Sequence, residues 1–368
     1  MAMAGRAIIS WLVGTSSNDL GFISKSCKAR SMHRSSNLFL NRIMFDATEL
    51  SVVSDQSKGY LATVTLPKDD YRTRHIAKTL NLQNGDCVRA GCVRDRDPSE
   101  FDSLGGLMTD EAFVEWLPEG KIKKASPTRN REPPGSLKVL IPNPPKTSLW
   151  EDRYGAETDD TPRVSLLLAL PRPLQLQRWG LFIQCENSLE FWSLLTNFRI
   201  RLLPMVAQLG VENLILTNAR KVPKDYFGSH LFRKPSVLRG LLVEGLSQSG
   251  DVRLPRVTVS KRLKIFLEDE LDELFPRSQY ERIIAHPQRK DETGRMTRMS
   301  DIKVNATDGS PRRILLAVGP EGGWEEPYEL DMFQKLGFKR ITLGTRVLRT
   351  DVAVVSLLAL ANEACSSL

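Results

Sequence analysis

Metal-binding and disulfide-forming side chains are sparse in this sequence. Its 368 residues hold four histidines, far apart, and five cysteines (27, 87, 92, 185, 365), odd in number and without CxxC spacing. That pattern argues against a disulfide framework and against a metal site, and it fits a reducing compartment. No apolar run approaches 18 residues without a charge, so no membrane span is expected. Acids are nearly missing from residues 1–36, where Asp19 stands alone against Arg6, Lys25, Lys28, Arg30 and Arg34 among eight serines. This is the composition of an organellar transit peptide, for mitochondrion or chloroplast; the plainer reading is a disordered tail on a cytoplasmic protein.

The remainder has ordinary globular composition, 41% hydrophobic and 26% charged, and a net charge of +8 that favours a polyanionic partner. Its length predicts two domains. Residues 37–141 read as short strands (38–40, Tyr60–Leu66, Asp86–Val93, Gly106–Leu117, Leu137–Ile141) with one helix over Asp70–Leu80 before the turn Asn84-Gly85-Asp86. Lys121–Pro134 is basic and proline-bearing, suited equally to a solvated loop and to a phosphate clamp. Residues 142–162 lack apolar periodicity and read as a linker. Residues 163–368 alternate strands (Val164–Leu170, Val211–Thr217, one ending at Ile283-Ile284-Ala285-His286-Pro287) with helical patterns such as Leu231–Gln248. Gln288–Pro311 is polar and reads as a flexible loop.

The most informative stretch is Ile314–Ala364. A short apolar strand, Ile314–Val318, runs into Gly319-Pro320-Glu321-Gly322-Gly323-Trp324. This turn is neither GxGxxG nor a phosphate loop, since no Gly-Lys-Ser/Thr follows. Glu325, Glu326 and Pro327 suit a helix start, with Leu330, Phe333 and Leu336 on one face and a stop at Gly337. A strand over Arg340–Leu343 leads into Gly344-Thr345-Arg346-Val347-Leu348-Arg349-Thr350-Asp351. The last helix, from Val352 to about Cys365, is apolar on nearly every side. Two loops at one edge of a parallel sheet, one of them glycine-rich, predict a ligand site there.

VGPEGGW followed by LGTRVLRTDVA resembles the cofactor-binding signature of the RsmE family, over residues 162–365 and, through HIAKTLNLQNGDCV, over 38–125. The resemblance implies an α/β fold of the SPOUT class, with a parallel sheet, a carboxy-terminal trefoil knot and a PUA-like β-barrel in front that would hold RNA. It implies S-adenosylmethionine as cofactor, methylation of uridine N3 in small-subunit ribosomal RNA, and a homodimer packed through the knot. Carried onto this sequence, it makes His286, Gly319, Pro320, Glu321, Gly322, Gly323, Leu343, Gly344, Val347, Leu348 and Thr350 cofactor-binding residues.

Uridine N3 is protonated at neutral pH, so its proton must be accepted and the resulting charge stabilised. Arg349 and Arg346 are the candidates for the charge, and Glu321 or Asp351 for the proton. Asp351 could equally cap the last helix. Several positions depart from the family. Asn81 and Asp251 stand where arginine is usual, and Met205 and Gln208 replace a lysine and a glutamate. Residues 178–200 form an insert that the pattern does not contain, readable as a translated intron or a helical insertion. The departures leave open a catalytically impaired RNA-binding or assembly protein, or a SPOUT enzyme acting on another RNA.

Overall fold

The computed structural model describes residues 42–53, 59–95, 105–118, 133–143, 163–171, 202–287, 297–302 and 313–366. The expectations for 1–36, 38–40, 121–132, 144–162 and the insert 178–200 fall outside them. Six strands form the first sheet: β1 (Ile43–Phe45), β2 (Ser51–Val52), β3 (Tyr60–Leu66), β4 (Cys87–Cys92), β5 (Met108–Pro118) and β6 (Gly135–Pro142), in the order β1-β4-β5-β6-β3-β2. Only the β1–β4 pair is parallel.

Consecutive strands β1 and β2 therefore lie on opposite edges. In a flat six-stranded sheet those edges would be roughly 24 Å apart. Six residue steps join Phe45 to Ser51, and three of the residues form a 3₁₀ turn, Ala47–Glu49, so the link spans at most about 16–20 Å. The sheet must curl, and side chains alternate about it. Ala62, Val64 and Leu66, Ala112, Val114 and Trp116, and Leu137, Val139 and Ile141 are buried at every second position. Helix α1 (Tyr71–His75) begins where the Asp70 carboxylate accepts from Arg72 N at 2.8 Å. It runs on as a π-helical turn, Ile76–Leu80, and stops at Asn81, whose φ of 52° is left-handed. Asparagine tolerates that conformation, which is a backbone reason for its presence there.

The second sheet contains β7 (Val164–Ala169), β8 (Val211–Thr217), β9 (Arg256–Ser260), β10 (Tyr280–Ala285), β11 (Arg313–Val318) and β12 (Lys339–Ile341), ordered β12-β10-β11-β7-β8-β9. Every pairing is parallel. Central β7 is buried along its whole length, whereas edge strand β9 has no buried residue, as a sheet covered on both faces requires. Helix α2 (Leu202–Gln208) crosses α3 (Pro235–Ser249) at Gly245. Helix α4 (Tyr328–Lys335) covers the β10–β12 side, and α5 (Thr350–Ser366) closes the chain. In α5, Val354, Leu357, Leu358, Ala361 and Cys365 are buried, while Val352 and Leu360 on other faces stay exposed.

Three expectations need correcting. The helix expected over Leu231–Gln248 is two helices, His230–Arg233 and α3, because Pro235 starts a helix but cannot continue one. Glu325 and Glu326 precede α4 rather than forming its first turn. Within the expected loop 288–311, residues Met299–Asp301 make a 3₁₀ turn with Met299 and Ile302 buried, and Thr297 O accepts from Thr342 N at 3.1 Å.

The two sheets are bonded to each other. Arg42 N donates to Ser247 O at 2.8 Å, Arg94 N to Val252 O at 2.7 Å, and Leu254 N to Arg94 O at 3.0 Å. Arg239 of α3 reaches Asp46 at 2.5 Å and Asp95 at 2.6 Å. Met44 and Val93 complete the core beneath the second sheet.

A Cβ built on Gly245 would lie 2.1 Å from the Pro204 carbonyl oxygen, which is backbone and cannot rotate away. Gly245→Ala should therefore force α2 and α3 apart, lowering stability by about 2–3 kcal/mol in urea unfolding. An unchanged midpoint would show that the crossing is not this close.

Candidate functional site

The carboxyl ends of all six parallel strands open onto one edge, and the two distinctive loops are both there. They do not come from adjacent strands. Strand β10 lies between β11 and β12, which puts the loop origins roughly 10 Å apart. The residue that follows β10 is His286, whose backbone N donates to Ile341 O at 3.1 Å. It thus stands between the two loops.

Residues 319–324 fold as a tight turn in which Gly323 N donates to Pro320 O at 2.7 Å and Gly323 has φ of 67°. Trp324 anchors the turn: its indole is fully buried and packs edge-on against Phe333, with centroids 4.8 Å apart. Added to Gly319, a Cβ would sit 3.2 Å from Trp324 N and from its Nε1, tighter than packing ordinarily allows. On Gly323 it would sit 3.5 Å from His286 Cε1. Gly319 and Gly323 are therefore set by close approach and by a positive φ, respectively.

Charged groups hold this turn on both sides. Glu329, 3% exposed, accepts from Arg220 N at 2.7 Å and from Glu325 N at 2.6 Å. Lys221 Nζ donates to Gly322 O at 2.8 Å and to Trp324 O at 3.2 Å. Toward β10, the carboxylate of Glu326 bonds His286 Nε2. Sequence reading missed Lys221, Glu326 and Glu329 as members of the site. An acid in the first turn of a helix is a legible signal for Glu329, but nothing in the sequence pairs Lys221 with a turn a hundred residues on.

The second loop is more open. Gly344 has φ of 122° with nothing near its Cβ position, and its N–H donates to Thr342 Oγ1 at 3.3 Å. Val347 is 83% exposed, and Leu343, Leu348, Arg346 and Arg349 also face solvent, while Thr350 is buried at the start of α5. Arg349 pairs with Asp351 at 3.0 Å, and Asp351 also accepts from Val352 N at 2.9 Å. In the first turn, Pro320 is buried whereas Glu321 and Gly322 are exposed. The structure thus packs His286, Gly319, Pro320 and Gly323 together, and leaves Leu343, Arg346, Val347, Leu348 and Arg349 on an outward loop beside them.

A cavity of about 410 Å³ lies between α4 and the sheet, lined among others by Ile284, Glu326, Leu330, Phe338 and Arg340. None of the sequence-predicted residues lines it. Asp251, at a position where arginine was expected, accepts from Val252 N at 2.7 Å and pairs with Arg253 at 3.0 Å, so its negative charge is compensated locally. Met205 and Gln208 lie on α2. Among the described residues, no group of three or more His, Cys, Asp or Glu is placed to hold a metal, and no helix is long and apolar enough to cross a membrane.

Residues 197–362 match the RNA methyltransferase domain family. The matched span covers both site loops, His286, Lys221 and Glu329. The ribosomal RNA small subunit methyltransferase E of Treponema pallidum (strain Nichols) is 24% identical over 302 residues, 82% of this chain and 86% of that protein. The protein of the same name from Mesomycoplasma hyopneumoniae (strain 232) is 42% identical over 55 residues, 15% of this chain and 23% of that one. The fold is that of the crystal structure of ribosomal RNA small subunit methyltransferase E from Neisseria gonorrhoeae bound to S-adenosyl methionine. The TM-score is 0.52 at 16% identity, over 87% of this chain and 95% of that one.

Glu329→Ala would strip the acceptor from two backbone amides. It should cost about 3 kcal/mol in urea unfolding and speed amide exchange across 319–326. Glu329→Gln, which keeps the shape, should recover part of both. Unchanged exchange in the alanine variant would show that the turn holds its shape unaided.

Proposed function

We propose that this chain, which carries an RNA methyltransferase domain over residues 197–362, transfers the methyl group of S-adenosylmethionine to N3 of a uridine in small-subunit ribosomal RNA. The observation that carries the reading is the shared edge: a glycine turn pinned at the end of β11 and an open, apolar-tipped loop at the end of β12, with His286 between them. The donor set fits a nucleoside cofactor. Gly322 and Gly344 offer bare backbone, Gly344 has open space where a Cβ would be, and Leu343, Val347 and Leu348 offer exposed apolar surface.

When bound, S-adenosylmethionine supplies an electrophilic methyl group on a sulfonium. The protein's task is to hold the uracil in line and to manage one proton. Glu321, exposed at the tip of the first turn, would accept the N3 proton. Arg346 and Arg349 project from the second loop and would hold the negative charge that spreads onto the uracil carbonyl oxygens as that proton leaves. Asp351 keeps the Arg349 guanidinium in place through their 3.0 Å pair and is the second candidate for the proton. Lys221 and Glu329 touch neither substrate nor cofactor in this scheme; they fix the turn that does.

The first sheet, curled and mixed, would hold the RNA by backbone contacts as a PUA-like barrel. Exposed Val347, Val352 and Leu360 around the last loop and α5 support a homodimer closing over that face. The basic, serine-rich amino terminus supports import into mitochondrion or chloroplast.

Calorimetry should detect S-adenosylmethionine binding, and small-subunit rRNA from cells lacking the protein should lose a 3-methyluridine by nucleoside mass spectrometry. Unchanged 3-methyluridine would defeat the uridine-N3 reading even if the cofactor binds. Arg349→Ala should lower kcat by about 100-fold with the cofactor's Kd little changed. For the dimer, light scattering coupled to size exclusion should give twice 41.4 kDa, and a monomer at micromolar concentration would reject it.

A further inference from the structure

Basic residues recur along one flank of the edge that bears the two site loops. Strand β8 ends in a loop carrying Arg220 and Lys224, and the short helix that follows ends in Arg233 and Lys234. Strand β9 ends at Ser260 and is followed at once by Lys261 and Arg262. All six side chains are exposed. The acids nearest to them in sequence are Asp225 and Glu268, and the latter already pairs with Lys264 at 3.7 Å. Arg220 also lies 3.7 Å from Glu325, with a side chain 75% exposed. Parallel pairing places the ends of β8 and β9 on the same edge as β11, two and three strands away, or roughly 10 and 15 Å.

Like charges gathered on adjoining loops repel one another unless a polyanion or salt neutralises them. A solvated patch would account for their number. It would not account for their alignment with the cofactor turn, nor for the strap joining the two. Between the strip and the turn stands Lys221, whose ammonium is turned inward onto Gly322 O and Trp324 O while its neighbour Arg220 faces out. The same β8 loop thus carries cations toward solvent and holds the turn with its next residue.

We propose that this flank, centred on Arg220, Lys224, Arg233, Lys234, Lys261 and Arg262, is a second RNA surface that tracks phosphates and leads the target strand to the turn at Gly319–Trp324. This rests on the RNA-methylating function argued above and adds a path for the substrate on the methyltransferase sheet itself, separate from any contact made by the first sheet. Phosphate contacts of this kind position the strand without reading its sequence.

The test is fluorescence anisotropy with a labelled uridine-rich single-stranded RNA over 50 to 200 mM salt. It compares wild type with Lys224→Gln/Lys261→Gln/Arg262→Gln. Removing three phosphate contacts should lower the slope of log affinity against log salt by about 2, a difference of about 16-fold across that fourfold range. A control variant, Arg277→Gln/Lys335→Gln, neutralises exposed cations at the opposite edge of the same sheet and should leave the slope unchanged. Calorimetry with S-adenosylmethionine should give the wild-type Kd for both variants, which also shows that both fold. A slope unchanged in the first variant overturns the proposal while leaving the methyltransferase reading intact. Drops in both variants in proportion to the charges removed, three against two, overturn it as well, since binding would then follow net charge alone. Failure of the wild type to bind RNA at all would remove both the strip and the function it serves.

Discussion

A single buried carboxylate ties two strand ends together at the functional edge of this sheet. Glu329 accepts from the amide of Arg220, beyond β8, and from the amide of Glu325, beyond β11. Two strands that are not neighbours are thus tied through one side chain. The bonds are charge-assisted and withdrawn from water, where each is worth more than a neutral pair at the surface. Helix α4 has its amino end at the same spot, so its dipole favours a negative charge there. Lys221 completes the arrangement by bonding the carbonyl oxygens that the turn points the other way.

A turn of three glycines in six residues would otherwise be loose, because glycine loses more conformational freedom on ordering than any other residue. That cost is offset by the burial of Trp324 and by the electrostatic strap. Glu321 and Gly322 lie exposed at the tip of the turn so held. Preorganisation of this kind matters to a methyltransferase because its own contribution is largely position.

The first sheet is joined directly to the second. Parallel bonds join Arg94 to Val252 and Leu254, and Arg239 spans the carboxylates of Asp46 and Asp95, just beyond β1 and β4, while Met44 and Val93 enter the core of the second sheet. An RNA held by the first sheet would therefore be held at a set position relative to the turn. Asp251, which by sequence alone looked like a lost positive charge, lies close to this junction and is bonded to Arg253 and to the local backbone.

The sequence by itself determined the longer buried strands, since apolar runs such as Leu166-Leu167-Leu168 and Ile314–Val318 admit few other fates, but it did not mark β1, β2 or the edge strand β9. It also marked the two loops, because glycines at Gly319 and Gly323 answer to local backbone needs that show as a motif. Only the tertiary structure decided that β10 separates the loops, that Pro235 divides a helix, and that Lys221, Glu326 and Glu329 serve the turn. Strand order and long-range ion pairs depend on how distant segments dock, and docking leaves no periodic trace along a chain.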